Sequence, residues 1–434
     1  QYGSDAIAGV INIILKDDVD YTTVNFRSGS TTEGDGFSKG FDASTGIRVG
    51  SKGFLNLSAS FYDQEETNRA GEPGGDGLFG VVFGDDTILN GTHPWLVDNP
   101  DMGMHVGMPN MTTNDVSYNY GYNLNERNKF YSFGSFTTRK SLSYALYRAP
   151  YWIPDENNIF HDEGDDYVGF QPTFESDVID NNITAGVAGD KSGWSYDLSA
   201  SFGSNAVDYK VDNSQNLDMG AESPTTFNPG GYEFSHSVTN FDLSKSLGMI
   251  TLGLGSEFRF ENFVALAGEE ASYYGGGVQS FPGIQPQNAV DVNRQNFGFY
   301  VDLGADVTED LYVGMAARSE EYSDFGNSFT WKGAGRFKAM DDRLSLRASM
   351  STGFRAPSLH QIYMSNIQTL ISGGTVSNQG TFNNHSPVIR SLGVDKLKEE
   401  NATNTTFGVA FKPMDGLYLS LDVYNVAVDD RIVY

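Results

Sequence analysis

No cysteine occurs among the 434 residues, which excludes a disulfide scaffold, a thiolate metal centre and a cysteine nucleophile. Basic residues are also scarce: 28 Lys and Arg stand against 56 Asp and Glu, a formal net charge of −28. A surface of that sign repels phosphate backbones, so nucleic acid is excluded as a partner. No apolar run approaches ~18 residues, which excludes membrane-spanning helices but not a membrane β-barrel, whose strands are apolar on one face only. Helix signals are nearly absent. The abundant residues are glycine (50), phenylalanine (30) and tyrosine (23). Length alone suggests two or three domains, although barrels run long as one.

What fills the chain instead is period-two alternation. Ile250, Leu252, Leu254, Phe258 and Phe260 fall on one side, against Thr251, Gly253, Gly255, Glu257, Arg259 and Glu261 on the other. Phe297, Phe299, Val301 and Leu303 alternate with Gly298, Tyr300, Asp302 and Gly304, and the same pattern recurs around Leu198, Leu346 and Leu421. Successive side chains of a strand point to opposite faces, so each run is a strand with one apolar and one polar side. The runs are longer than the roughly 5–6 residues of globular strands and match the ~9–11 that a tilted strand needs to cross a bilayer. Leu, Val, Ala and Phe suit lipid on one face; Gly, Ser, Asp, Arg and Glu suit a wet or protein-filled lumen on the other.

The connections decide between architectures. Ser51-Lys52-Gly53, Asn125-Glu126-Arg127-Asn128, Asp190-Lys191-Ser192-Gly193 and Asp341-Asp342 are tight turns. They alternate with connections that are mostly long: 69–116, 149–177, 212–232, 267–292 and 355–399. Structureless loops beyond about 12–15 residues are uncommon in compact soluble domains. Short turns at one rim and long loops at the other are the outer-membrane pattern. The expected strands are 21–31, 38–50, 54–68, 115–124, 129–148, 178–189, 194–211, 233–246, 250–266, 293–307, 311–322, 328–339, 343–354, 400–411 and 417–434. The expected class is therefore all-β, a transmembrane antiparallel barrel. A soluble propeller, the rival, would show a repeat near 40–50 residues, and none is present. The fifteenth strand is still alternating at Tyr434, so we read the chain as part of something longer.

Three motifs carry a family resemblance. Gln1 to Lys16, with Tyr2, Gly3, Ser4, Asp5 and Gly9, resembles the end of the plug domain of TonB-dependent outer-membrane receptors. Gly353-Phe354-Arg355-Ala356-Pro357 resembles a barrel signature of the same receptors. Leu397 to Asn404 resembles the signature that follows it: Glu400 and Asn404 match, while Glu399 replaces the usual proline and Ala402 the usual serine. Asp422-Val423-Tyr424 and Asp430-Arg431-Ile432 look like the next strand. The resemblance implies residues 1–20 as the C-terminal end of a plug and 21–434 as about fifteen strands of a barrel that such receptors close with roughly 22. It implies TonB-dependent uptake across the bacterial outer membrane, driven through TonB with ExbB and ExbD. A ferric siderophore is the leading ligand; oligosaccharide, cobalamin and haem are alternatives. It further implies a monomer in contact with lipid and lipopolysaccharide, no catalytic activity and no cofactor beyond iron carried by the ligand. A passive porin and a barrel-borne adhesin or surface enzyme are the rivals from other classes. Residues 1–16 argue against the first, and no loop is long enough to be a folded passenger for the second.

The signature residues read as fixing strand geometry and plug contacts, with Arg355 expected to pair with an acid where its strand leaves the bilayer. Asp302, Glu257, Arg259 and Arg347 point to the lumen, with the plug as expected partner. The loop aromatics Trp95, Tyr151, Trp152, Phe160, Tyr273, Tyr274 and Phe281 are candidates for an apolar ligand rim. Loop 149–177 carries eight acids and no Lys or Arg, and loop 69–116 seven against Arg69. Such loops steer cations or solvate the rim and bridge divalent ions to lipopolysaccharide, and the second reading is favoured. His161 to Asp166 has oxygen donors for a hard cation but lacks the EF-hand pattern, and a solvated acidic loop is the plainer reading. Gly75 to Gly80 spells G-x-G-x-x-G outside any βαβ context and is not read as a nucleotide site.

Overall fold

A computed structural model describes residues 6–17, 21–153, 155–162, 164, 166–372 and 375–433. Fifteen strands form one antiparallel sheet in chain order. They are β1 (Thr22–Gly29), β2 (Ser38–Val49), β3 (Gly53–Gln64), β4 (Asn110–Asn123), β5 (Asn128–Tyr144), β6 (Thr173–Lys191), β7 (Trp194–Asp212), β8 (Phe227–Leu247), β9 (Ile250–Ala267), β10 (Val290–Asp306), β11 (Leu311–Tyr322), β12 (Gly326–Ala339), β13 (Leu344–Arg355), β16 (Glu400–Met414) and β17 (Leu417–Asp429). The remaining two, β14 (Asn366–Ser372) and β15 (Thr375–Thr381), make a separate hairpin within loop 356–399.

The alternation in sequence becomes the two faces of this sheet. Leu303, Phe297, Phe258 and Leu198 are exposed on the outer face, which in an outer-membrane barrel is solvated by lipid. Their neighbours in sequence face the lumen. Tight turns join strands at one rim; in the turn between β6 and β7, Ser192 and Gly193 both take positive φ, the backbone of a two-residue hairpin whose twist matches the strands. On the lumenal side tyrosines lie over neighbouring strands. Tyr300 donates to Asp242 Oδ1 at 2.6 Å while its ring covers Gly255, where a Cβ would come within 2.1 Å of the ring. Tyr131 makes the equivalent bond to Asp197 at 2.7 Å.

The sheet is curved, and a short segment shows it. Residues 6–17 leave Ile7 O accepting from Asn404 of β16 and Lys16 O accepting from Asn56 of β3 and Asn119 of β4. In the sheet order β4 and β16 are ten intervals apart, roughly 48 Å if flat. Nine residues reach at most about 32 Å fully extended, so the sheet bends around the segment.

Two features depart from the sequence reading. The long loops are not structureless: helices α1 (Gly77–Phe83), α2 (Asp86–Leu89), α3 (Pro94–Asp98), α4 (Glu270–Tyr273), α5 (Leu359–Tyr363) and α6 (Pro387–Ser391) lie in them. Each is one or two turns long, too short for a helical hydrophobic period to show. The β14–β15 hairpin was also unforeseen, because it lies in a stretch read as loop.

Candidate functional site

Three places in the fold hold candidate residues: the strand ends around the signature motifs, the lumenal wall, and the outer loops. The signature residues of β13 and β16 come together because Arg355 and Glu400 are register partners. Arg355 Nη1 lies 3.8 Å from Glu400 Oε2. Glu400 is buried and its Oε1 accepts from Ile432 N at 2.9 Å, which ties the third motif to the Asp430-Arg431-Ile432 stretch. Four residues further along β16, Asn404 Nδ2 donates to Ile7 O at 2.6 Å. On β13 Gly353, the register partner of Ala402, lets the segment pass: a Cβ there would sit 2.8 Å from Ala6 O. Gly9 has open space around its Cα. Tyr2, Gly3, Ser4 and Asp5 lie outside the described residues.

Above Ser351 β13 parts from β12, whose ladder stops at Lys332↔Ser351. Phe354 then packs against Tyr322 at 6.0 Å, with Phe325 and Ala356 completing a small core. Pro357 is fully buried, and its carbonyl accepts from Arg294 Nη1 at 2.7 Å. Leu359 of α5 closes over Phe263 and Ala265 of β9. The segment 354–363 is thus a strap across the outer end of β9–β11. Its helix starts with a capping box, Ser358 accepting from Gln361 N while Gln361 Oε1 accepts from Ser358 N, which satisfies two otherwise orphaned donors.

Under the strap lies a network of buried charge. Arg294 Nη2 meets Glu261 Oε2 at 2.5 Å, Arg318 Nε meets Glu320 Oε1 at 2.6 Å and its Nη2 meets Glu257 Oε2 at 3.3 Å. Arg259 bridges Glu257 and Glu261. Asn296 Nδ2 and Tyr322 OH donate to Glu320 Oε2. Glu320 is only 1% exposed and Arg318 4%, a degree of burial that charged groups tolerate only when paired and hydrogen-bonded. This corrects the expectation for Glu257 and Arg259: among the described residues their partners belong to the wall and not to residues 6–17, Arg259 standing between Glu257 and Glu261 of its own strand and Glu257 meeting Arg318 two strands away. Arg347 likewise pairs with Asp422 of β17, both Nη2 contacts at 2.6 Å. The two meet across Gly408, where a Cβ would lie 2.3 Å from Asp422 Oδ1. Asp302 lines an open lumenal recess beside Tyr300 and Arg318. Sequence reasoning missed the cross-strand pairs, Arg294 with Glu261, Arg318 with Glu257 and Arg347 with Asp422, because register and not spacing along one strand brings those charges together.

The outer loops interlock. Arg69 pairs with Asp35, and its guanidinium holds the Asp35 carboxyl well below the usual carboxylate range. Asp76 caps α1 through Phe79 N and accepts from Trp152 Nε1 at 2.6 Å. Around that bond Trp152 stacks on Phe79 at 4.3 Å, and Trp95 meets Tyr147 and Tyr151. Burial pushes the Tyr151 phenol upward, with the nearby Asp76 charge adding to the effect. Gln215 Oε1 accepts from Ile159 N, and Asn216 Nδ2 donates to Ala271 O and Tyr274 O. Arg148 reaches Gln279 and Ser280, and burial lowers its guanidinium to about 10.

The seven candidate aromatics are therefore divided. Trp95, Tyr151 and Trp152 form one core. Phe160 stacks on Phe170 at 4.5 Å, and Phe281 packs on Phe174 and Tyr209. Tyr273 is half-buried on α4 and Tyr274 is exposed. They do not converge on one rim. Within His161 to Asp166, Glu163 and Asp165 lie outside the described residues. Asp162 Oδ1 accepts from the backbone N–H groups of Gly164 and Asp166. No group of three potential metal ligands occurs among the described residues.

The family described as "TonB dependent receptor-like, beta-barrel" matches residues 112–434. Among solved structures, the siderophore receptor PirA from Pseudomonas aeruginosa superposes with TM-score 0.62 at 13% identity, covering 98% of this chain and 59% of that one. A mutant of the ferric enterobactin receptor PfeA from Pseudomonas aeruginosa gives TM-score 0.63 at 13% identity, covering 98% and 56%. The RagAB peptide transporter gives 0.55 at 12%, covering 91% and 45%. At such identities the likeness is one of fold, and this chain spans less than two thirds of each. No curated protein matches the chain. A family match over most of the sequence, on a sheet with long loops at one rim and short turns at the other, settles the class: the chain belongs to the TonB-dependent receptor β-barrel family of transport receptors in the bacterial outer membrane.

Proposed function

We propose that this protein takes part in TonB-dependent active uptake of a scarce solute, with a ferric siderophore as the ligand class. The observation that carries the reading is the segment 6–17, laid across the lumen and hydrogen-bonded at both ends to the wall. A passive porin keeps its lumen open to water; a strand of protein fixed inside it is what a gated receptor needs. The outer membrane has no ATP, so tight capture outside must be reversed by work delivered from the inner membrane. TonB, with ExbB and ExbD, is the proposed source of that work. Residues 1–20 are proposed as the end of a plug, and Gly353 and Asn404 as the wall residues that seat it. The siderophore assignment is supported by the ligands named for PirA and PfeA. The protein needs no cofactor of its own in this reading, acts as a monomer and rests in lipid and lipopolysaccharide.

The test is uptake of radiolabelled ferric siderophore by cells producing the receptor, with and without TonB. Uptake should vanish without TonB. Undiminished uptake would discard the energised mechanism, and uptake of haem, cobalamin or an oligosaccharide alone would replace the ligand class.

A further inference from the structure

The outer surface of this protein is acidic almost everywhere. Loop 65–109 carries eight acids against Arg69, and loop 145–172 six against Arg148; loops 213–226 and 268–289 carry two acids each and no base. Arg69 is committed to Asp35, and Arg148 to Leu146 O, Gln279 and Ser280. Loop 356–399 is the exception among the outer connections, with Arg390, Lys396 and Lys398 against Asp395 and Glu399, and His360 and His385 besides.

That loop also encloses a cavity of about 330 Å³ with the short connection 323–325. Arg390, Lys396 and His385 line it, together with Tyr363, Phe325 and Asp324. The one acid of the lining, Asp324, faces Arg294 Nη1 at 3.5 Å. Arg390 is held in place by uncharged acceptors, the carbonyls of Asn384 and Val394 and Asn384 Oδ1 at 2.6 Å, so its orientation is fixed while its charge is not cancelled. Among the described residues neither Arg390 nor Lys396 is in an ion pair. Tyr363 lies 5.5 Å from the His385 ring. Cationic heads and aromatic faces in one recess fit a flat anionic group.

We propose that this cavity is a subsite for one aromatic anionic arm of the transported ligand, a phenolate or catecholate of a chelate. The assignment rests on the siderophore reading above. The volume is at the low end of small-molecule sites, roughly 300–1,000 Å³, so it takes one arm and not the whole ligand. The other long outer loops carry an excess of acids; this one carries three bases against two acids, so an anionic chelate is repelled less here than over its neighbours, which orients its approach.

The test compares two iron(III) chelates of similar size, a trianionic tris(catecholate) and a neutral tris(hydroxamate), by equilibrium binding to the full receptor in detergent. Lys396 is exposed and, among the described residues, in no ion pair, so its replacement leaves the fold intact. Lys396→Glu should weaken the tris(catecholate) about tenfold or more at low salt and Lys396→Gln by less, with the difference shrinking as salt is raised. The neutral chelate should change less than about twofold in either variant. An unchanged affinity of Lys396→Glu for the tris(catecholate), or an equal loss for both chelates, overturns the subsite and leaves the siderophore reading standing. Failure of the unaltered protein to bind either chelate removes the siderophore reading and this subsite with it. Displacement of bound tris(catecholate) by added lipopolysaccharide would reassign the cavity to lipid phosphates and overturn the proposal.

Discussion

Between β2 and β6 the lumenal wall is made of Ser44, Asn56, Ser58, Ser117, Asn119, Ser135 and Asn182; between β9 and β11 it is made of Glu257, Arg259, Glu261, Arg294, Arg318 and Glu320. The first wall faces a cavity of about 630 Å³ beside residues 13–16 and holds that segment by hydrogen bonds to Lys16 O. The second is roofed by the strap 354–363 and pairs its charges internally, although Arg259 Nε is buried without a hydrogen-bond partner among the described residues. Small neutral groups can let go of a neighbour cheaply, because water replaces each hydrogen bond at a net difference of only about 1 kcal/mol. A buried ion network cannot, because parting any pair exposes uncompensated charge at about 3–5 kcal/mol. One side of the lumen is therefore suited to release the segment it holds, and the other to stay rigid while carrying the outer strap.

The largest effect should come from breaking the charged wall. Glu320→Ala leaves Arg318 without its 2.6 Å partner and Asn296 without its acceptor, and should cost about 3–5 kcal/mol. Ser58→Ala and Ser117→Ala on the neutral wall should stay within ~0.5 kcal/mol. Urea unfolding in detergent micelles measures both, and equal losses would erase the distinction. Phe354→Ala, which empties the core under the strap, should cost about 3–5 kcal/mol and raise hydrogen exchange across 354–363 without changing residues 13–16. Gly353→Val should force Ala6 away from the wall at a cost of about 1–3 kcal/mol, read as faster proteolysis of the segment 6–17. Asn56→Ala with Asn119→Ala should release the other end, at about 1 kcal/mol for each lost bond, with increased exchange confined to residues near Lys16.

The smallest effect is one of pH. His360 of α5 packs on the rings of Phe234 and Phe263, and burial pushes its imidazole below the usual value. The docked strap therefore binds fewer protons than the undocked one. Docking is unaffected above about pH 6.5 and weakens as pH falls below it. Exchange across 356–363 should rise between pH 7.5 and 5.5, and His360→Phe should flatten the dependence.

Much of the barrel was legible because its strands are long and alternate cleanly. The sheet holds fifteen strands in the expected order, and β11 spans Leu311–Tyr322 as anticipated. Ends facing the loops were less legible. β6 begins at Thr173 and β8 at Phe227, several residues before alternation marks them, because there the ladder is set by the neighbouring strand and not by a lipid-facing stripe. Of the signature residues, Arg355, Glu400 and Asn404 could be named from motifs, whereas the bond from Asn404 to Ile7 joins residues nearly the whole chain apart and leaves no local trace.

The sequence by itself determined which residues face out and which face in, because a strand's two-residue period is a property of the covalent chain. It also determined which rim carries the long loops. Only the tertiary structure decided who partners whom. Glu257 meets Arg318 two strands away, Arg347 meets Asp422 over Gly408, and Trp152 finds Asp76 in another loop. Those pairings depend on register, strand stagger and loop packing, which bring together residues that no spacing along the chain relates.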